Sequence, residues 1–155
     1  LMWEISEDAC RKENVDVIES YLKDIDVFSI NRHEAMLLYG LDDEAECERR
    51  LAAASPNWVF FRRGKDGAHM LAKGVSYDCP SLKGISVVDT TGGGNSSSGA
   101  VLYACCEGYA PKMAGCMGSA AAAAILAQYG VPAQYTQAMR QTAMKQAQSL
   151  CDEDK

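Results

Sequence analysis

Ile85-Ser-Val-Val-Asp-Thr-Thr-Gly-Gly-Gly-Asn-Ser-Ser-Ser98 joins a β-branched apolar run to a glycine triplet and then to a helix-forming segment. Ile85 to Val88 predicts a strand, and Ser96 opens a helix that reaches Glu107 and stops at Gly108. The consecutive glycines Gly92, Gly93 and Gly94 let backbone amides turn inward and approach a ligand with no Cβ in the way. The helix behind them adds unpaired N–H groups and the positive end of its dipole. Together these make an anion hole suited to phosphate. A tight strand-to-helix turn would use the same glycines, and the loop taken alone leaves both readings open. It is neither a Walker loop, since no Gly-Lys-Ser/Thr follows, nor a Gly-x-Gly-x-x-Gly fingerprint.

Outward from this stretch, strands and helices alternate. On the C-terminal side, Pro111 begins a helix that passes Ala120 to Ala124 and ends at Gly130. Met139, Ala143, Ala147 and Leu150 then mark one apolar helical face before the acidic tail Asp152-Glu-Asp154, read as frayed. On the N-terminal side, Leu1 to Ile5 reads as the tail of a strand. Asn14 caps a helix carrying Val15, Ile18, Tyr21 and Leu22. Asp26 to Ile30 is a short buried strand, followed by Asn31-Arg-His-Glu34 and a helix stopped by Gly40. Asp42 caps a further helix to Ala54, ended by Ser55-Pro56. Trp58 to Phe61, the turn Gly64-Lys-Asp-Gly67 and Ala68 to Leu71 form a hairpin, and Val75 to Cys79 is another strand. The alternation predicts an α/β fold.

Composition removes several classes of function. The 155 residues hold 15 basic and 21 acidic side chains, a net charge of −6. Arg49-Arg50 and Arg62-Arg63 are isolated pairs, so no nucleic-acid footprint is present. No apolar run approaches the roughly 18 residues that span a bilayer, which excludes a membrane partner. A hydrophobic content of 48% supports a real core. The seven cysteines form no Cys-x-x-Cys pair, and an odd, irregular set fits a reducing, cytoplasmic protein. Cys105 and Cys106 fall in an apolar helical stretch, as small hydrophobes do. His33 and His69 have no ligand partners nearby in the chain. There is no initiator Met and the apolar run begins at once, so the chain is expected to be a fragment lacking its upstream part.

Asp89-Thr-Thr-Gly-Gly-Gly-Asn95 resembles the Asp-Thr-Thr-Gly-Ala-Gly-Asp signature of the ribokinase (pfkB) carbohydrate kinases. Asn31-x-x-Glu34 is similar to that family's Asn-x-x-Glu motif, with Gly40 closing the same short helix. Val59-Phe-Phe-Arg-Arg-Gly-Lys-Asp-Gly67 stands where the family has a strand followed by Thr-x-Gly-x-x-Gly. Ser119-Ala120 to Gly130 resembles its late Ala-rich helix. Order and spacing agree from residue 14 to 134, which covers the C-terminal half of a family member.

The resemblance implies an ATP-dependent phosphotransferase acting on a hydroxyl of a sugar or sugar-like molecule, with Mg²⁺ and a monovalent cation. Gly92, Gly93 and Gly94 would form the anion hole for the transferring phosphate. Asn31 and Glu34 would act near Mg²⁺ and the triphosphate, the carboxylate through metal-bound water; a helix capping box has identical spacing. Arg62, Gly64, Gly67 and Ser119 would line the nucleotide, and Asp89 and Thr91 would belong to the monovalent-cation site. The implied fold is the C-terminal part of a mainly parallel, ribokinase-like sheet flanked by helices. Residues 1–155 would then be one portion of a single domain, whose N-terminal half or another chain completes the sheet and supplies the sugar site.

The departures from the family pattern bear on chemistry. Asn95 occupies the place of the aspartate that takes the proton from the substrate hydroxyl, and a carboxamide has no basic lone pair for that task. Arg62 replaces a threonine, and Ser119 stands where many members have an asparagine. These changes support an alternative: a catalytically weak or inactive nucleotide- or sugar-binding module of the same fold.

Overall fold

Val27, Phe28, Ser29 and Ile30 are consecutive and all fully buried, so the strand they form has no solvent face. That is the pattern of a strand covered on both sides. In the structure, a computed structural model that describes residues 1–153, this strand is β2 (Val27–Asn31). It lies between β1 (Met2–Glu4) and β3 (Trp58–Arg62), and both run parallel to it. Beyond β3, the antiparallel strands β4 (Ala68–Ala72) and β5 (Val75–Cys79) complete a sheet of order β1-β2-β3-β4-β5.

Alternation along the strands builds two cores. Phe28, Ile30, Val59, Phe61 and Leu71 pack to one side, with α1 (Val15–Leu22), α2 (Arg32–Tyr39) and α3 (Glu44–Ala54). Val27, Phe60, Met70 and Cys79 pack to the other, with α4 (Gly93–Cys106), α5 (Pro111–Leu126) and α6 (Gln137–Asp152). The result is the expected α/β architecture, a sheet between two layers of helices. No helix among the described residues is long and apolar enough to cross a membrane.

Helix α5 approaches the sheet and α4 through glycine. A Cβ added at Gly118 would lie 2.9 Å from Phe60 Cζ, 3.1 Å from Val101 and 3.2 Å from the Ser97 backbone oxygen. Neither the buried ring nor the α4 backbone is free to give way. Gly118→Val is therefore expected to destabilise the chain by about 3 kcal/mol through overpacking. Urea titration would show this as a lower midpoint at unchanged slope. An unshifted midpoint would mean that α4 and α5 separate readily.

Several boundaries differ from the sequence expectation. Ile85 to Val88 forms no strand. The Val88 and Asp89 amides donate to the Leu126 carbonyl at the end of α5, and Val87 and Val88 are 57% and 42% exposed. β-Branched composition signals a strand, but the segment reaches no partner strand and crosses a helix terminus instead. Helix α4 begins at Gly93 rather than Ser96, with Gly92 (φ 85°) as its N-cap, so Gly93 and Gly94 are its first turn and not a preceding loop. The cap of α3 is Asp43, whose Oδ1 accepts from the Ala45 and Glu46 amides, and not Asp42. Asn14 already has helical backbone angles, and its side-chain Nδ2 donates to the Ala9 carbonyl instead of the side chain capping α1. Helix α5 ends at Leu126, short of Gly130. Asp152 closes α6, and Asp154, the end of the expected tail, lies outside the described residues.

Candidate functional site

Glu4, Asn31 and Arg62 are the last residues of the three adjacent parallel strands. In open α/β sheets, ligands collect at these carboxyl ends. Here a cavity of about 560 Å³ opens beside them, with Asn31 and Arg62 in its wall. The loop from β3 to β4 adds Gly64, Lys65 and Gly67, and the first turn of α4 adds Gly93, Gly94 and Ser97. The opposite wall is apolar: Leu82, Ile85 and Val87 from the segment misread in part as a strand, with Ala122, Ala123 and Leu126 from α5. Ser119 completes the lining on α5, its hydroxyl donating to the Cys79 carbonyl at 3.4 Å.

The loop is held in shape locally. Gly67 has φ 87°, and a Cβ there would lie 2.4 Å from the Cys79 carbonyl oxygen and 2.7 Å from the Ser81 nitrogen, so no side chain fits. The Arg63 amide donates to the Gly67 carbonyl at 2.8 Å, and Ser81 Oγ donates to the Lys65 carbonyl at 2.6 Å. Arg32 ties the loop down through Asp66 at 2.9 Å and pairs with Glu44 at 2.7 Å. The Arg32 guanidinium beside Asp66 holds that carboxyl below its ordinary range.

Asn31 and Glu34 form a complete capping box: Asn31 Oδ1 accepts the Glu34 amide at 2.9 Å, and Glu34 Oε2 accepts the Asn31 amide at 2.7 Å. The local reading of that spacing is thus what the fold uses. Glu34 is buried, and its Oε2 also faces Arg62 Nη2 at 3.5 Å. A divalent ion held at Glu34 would have to share that carboxylate with a backbone amide and a fixed cation. The residues present therefore do not fit direct ligation of a resident Mg²⁺ by Glu34 Oε2.

Asp89 and Thr91 lie outside the cavity lining. Asp89 Oδ1 accepts the Thr91 amide at 3.0 Å, a turn-forming bond that also holds the Asp89 carboxyl below its usual range. Such a turn forms without an ion, and the pair alone does not enclose one. Gly92 and Asn95 are exposed and adjoin the lining without forming part of it.

Sequence reasoning missed Glu4 and Lys65. Glu4 could have been found as the polar end of a strand parallel to the other two, and Lys65 as a cation between two glycines of the quoted loop. His69 also has company unforeseen in the sequence. Its Nδ1 donates to Glu48 Oε1 at 2.5 Å, and Glu44, Glu48 and His69 bring ligand-type atoms within 4.8 Å of one another. Arg63 already fills that cluster, with Nε 2.5 Å from Glu44 Oε1 and Nη1 donating to His69 Nε2 at 2.6 Å.

With this geometry in view, the sequence profile described as pfkB family carbohydrate kinase matches residues 7–138. The chain belongs to that family. It is similar to a probable sugar kinase from Rhizobium etli CFN 42, at 26% identity and a TM-score of 0.81, covering 92% of this chain and 44% of that one. It shares its fold with an adenosine kinase from Sinorhizobium meliloti, at 21% identity and a TM-score of 0.80, covering 91% of this chain and 44% of that one. An uncharacterised protein of Schizosaccharomyces pombe is 27% identical over 86% of this chain and 44% of its own length. The chain thus spans less than half the length of these relatives. As a member of the family it has a carbohydrate kinase-like nature and the ribokinase-like fold.

Proposed function

We propose that this chain is the nucleotide-binding part of an ATP-dependent phosphotransferase that acts on a hydroxyl of a sugar or sugar-like molecule. The observation that carries the reading is the charge of the cavity. In a chain of net charge −6, the only charged residues in its lining, among the described residues, are the cations Arg62 and Lys65. They stand with the first turn of α4, whose dipole favours an anion. The opposite wall offers the apolar surface that a purine ring needs.

Donor binding would follow from these residues. Gly94 leaves the first turn of α4 bare toward phosphate oxygens, although the Gly93 amide already donates to the Thr90 carbonyl at 3.3 Å; Gly64 and Gly67 let the loop lie close to the nucleotide, and Ser119 contributes a hydroxyl. The divalent ion arrives as part of the donor, Mg-ATP. Phosphoryl transfer depends mostly on positioning and charge neutralisation, which this cavity is built to supply. Asp89 and Thr91 would shape the approach to the glycine turn and offer one carboxylate to a monovalent cation.

Among the described residues β1 is an edge strand of the sheet, and the chain matches only 44% of the length of the Rhizobium etli relative. Further strands from the rest of the polypeptide, or from another chain, would pair there and supply the acceptor site.

A second reading, a binding module without turnover, is favoured by one observation: among the described residues no carboxylate lines the cavity. Sensitive ADP detection on the full-length protein, with Mg-ATP and a panel of sugars and nucleosides, tests both. Acceptor-dependent ADP release is expected. Binding of Mg-ATP with no turnover across the panel would favour the module, and absence of Mg-ATP binding in folded protein would overturn both.

A further inference from the structure

Arg62 ends β3 with a side chain only 14% exposed, and a guanidinium so placed needs acceptors. Two carboxylates supply them: Glu4 Oε1 lies 3.2 Å from Nη1, and Glu34 Oε2 lies 3.5 Å from Nη2. Both contacts are longer than the roughly 2.7–2.9 Å of a tight charge-assisted bond. Nε is buried with no hydrogen-bond partner among the described residues. A guanidinium has five donors in a rigid fork, so this one is oriented yet unsaturated. A Cβ added at Gly94 would lie only 2.6 Å from Nη1, which places the guanidinium against the bare backbone of the first turn of α4. A fixed cation and the positive end of a helix repel each other unless an anion lies between them. The carboxylates beside Arg62 do not line the cavity, whereas Arg62 does.

We propose that Arg62 is the cavity's own phosphate-binding cation, with Glu4 and Glu34 as positioning residues, and that it takes the place in which Glu34 would otherwise serve a divalent ion. The ligand is the terminal phosphate or diphosphate group of the donor, and the proposal rests on the nucleotide reading above. The planar fork can meet two phosphate oxygens at once, which a threonine hydroxyl at this position cannot. Glu4 and Glu34 stop the side chain from swinging into solvent and leave the unused N–H groups free for the ligand. Gly94 is the residue that lets the fork and the α4 amides address the same oxygen atoms.

The test is calorimetric titration of inorganic pyrophosphate into the full-length protein in excess EDTA, with adenosine as a probe of the apolar wall. Metal-independent pyrophosphate binding is expected. Arg62→Thr should weaken it about ten- to hundredfold, the range of a bond to a charged group. Adenosine affinity should stay within twofold. Glu4→Gln keeps the guanidinium but loosens its orientation, and should weaken pyrophosphate by a few-fold only. Arg62→Lys, which keeps a charge against both carboxylates but loses the fork, is expected to fall between and carries the test if Arg62→Thr does not fold.

Equal or tighter pyrophosphate binding by Arg62→Thr would make the guanidinium a plug and overturn the proposal. So would failure of the unaltered protein to bind pyrophosphate without metal, or a Mn²⁺ site in that protein abolished by Glu34→Gln. Loss of adenosine binding alone, with the pyrophosphate results as expected, would remove the nucleotide reading and leave Arg62 as a phosphate ligand.

Discussion

Asn95→Asp is expected to raise kcat by about 10²–10⁴-fold, the usual worth of a general base, with Mg-ATP affinity nearly unchanged. Asn95 is the third residue of α4, exposed beside the glycine turn. Its carboxamide cannot accept a proton at neutral pH, and among the described residues no carboxylate lines the cavity to act in its stead. An aspartate at this position sits at the positive end of the helix, which keeps it ionised and so able to take a proton. The same effect makes the substitution neutral or slightly stabilising, by roughly 0.3–1 kcal/mol, so a rate gain would not come from the fold. Initial rates of ADP release with the best acceptor measure it. No gain, with Mg-ATP still bound, would show that the acceptor hydroxyl does not lie near residue 95.

What could be read in the sequence was local or periodic. The capping box at Asn31 and Glu34 needs only residues three apart, and the structure forms it. The strands from Val27 to Cys79 were legible because each has a partner strand to make its β-branched and aromatic residues informative. Ile85 to Val88 has the same composition and no such partner, so propensity pointed to a strand where the backbone bonds to the end of α5. Glycines were read as loop, which put the start of α4 at Ser96. Yet the helix runs through Gly93 and Gly94, with the Ser96 amide donating to the Gly92 carbonyl at 2.9 Å.

The candidate site was legible in outline through Asn31, Arg62, Gly64, Gly67, Gly93, Gly94 and Ser119, which the fold gathers around one cavity. The clasp of Glu4 and Glu34 on Arg62 was not, because it joins the ends of β1 and β3 to the first turn of α2 and no spacing rule connects them. Glu34 shows why this matters. In sequence it is equally a helix cap and a metal-side carboxylate. In the structure it caps α2 and faces a guanidinium, and the second contact decides which cation it serves.

Gly94→Val is expected to weaken Mg-ATP binding by at least about a hundredfold while lowering the melting temperature by no more than a few degrees. The two effects separate because of what surrounds this glycine. Its backbone is helical and has no positive φ, so a side chain is allowed there, unlike at Gly92 with φ 85°, where any side chain would be strained. A glycine within a helix costs about 1 kcal/mol relative to alanine, so replacing it recovers part of whatever the new side chain disturbs. The atoms a Cβ meets are Arg62 Nη1 at 2.6 Å, Arg62 Cζ at 3.8 Å and Glu4 Oε1 at 3.9 Å. These are the ends of flexible side chains, which can move. The fold therefore accommodates valine by displacing the guanidinium, and the branched side chain then covers the amides of the first turn. Losing two charge-assisted contacts of about 1.5 kcal/mol or more each corresponds to the hundredfold expected. Calorimetric titration and thermal melting of the same sample measure both quantities. Equal losses of affinity and stability would instead mark the glycine triplet as a tight turn that the fold needs for its own sake.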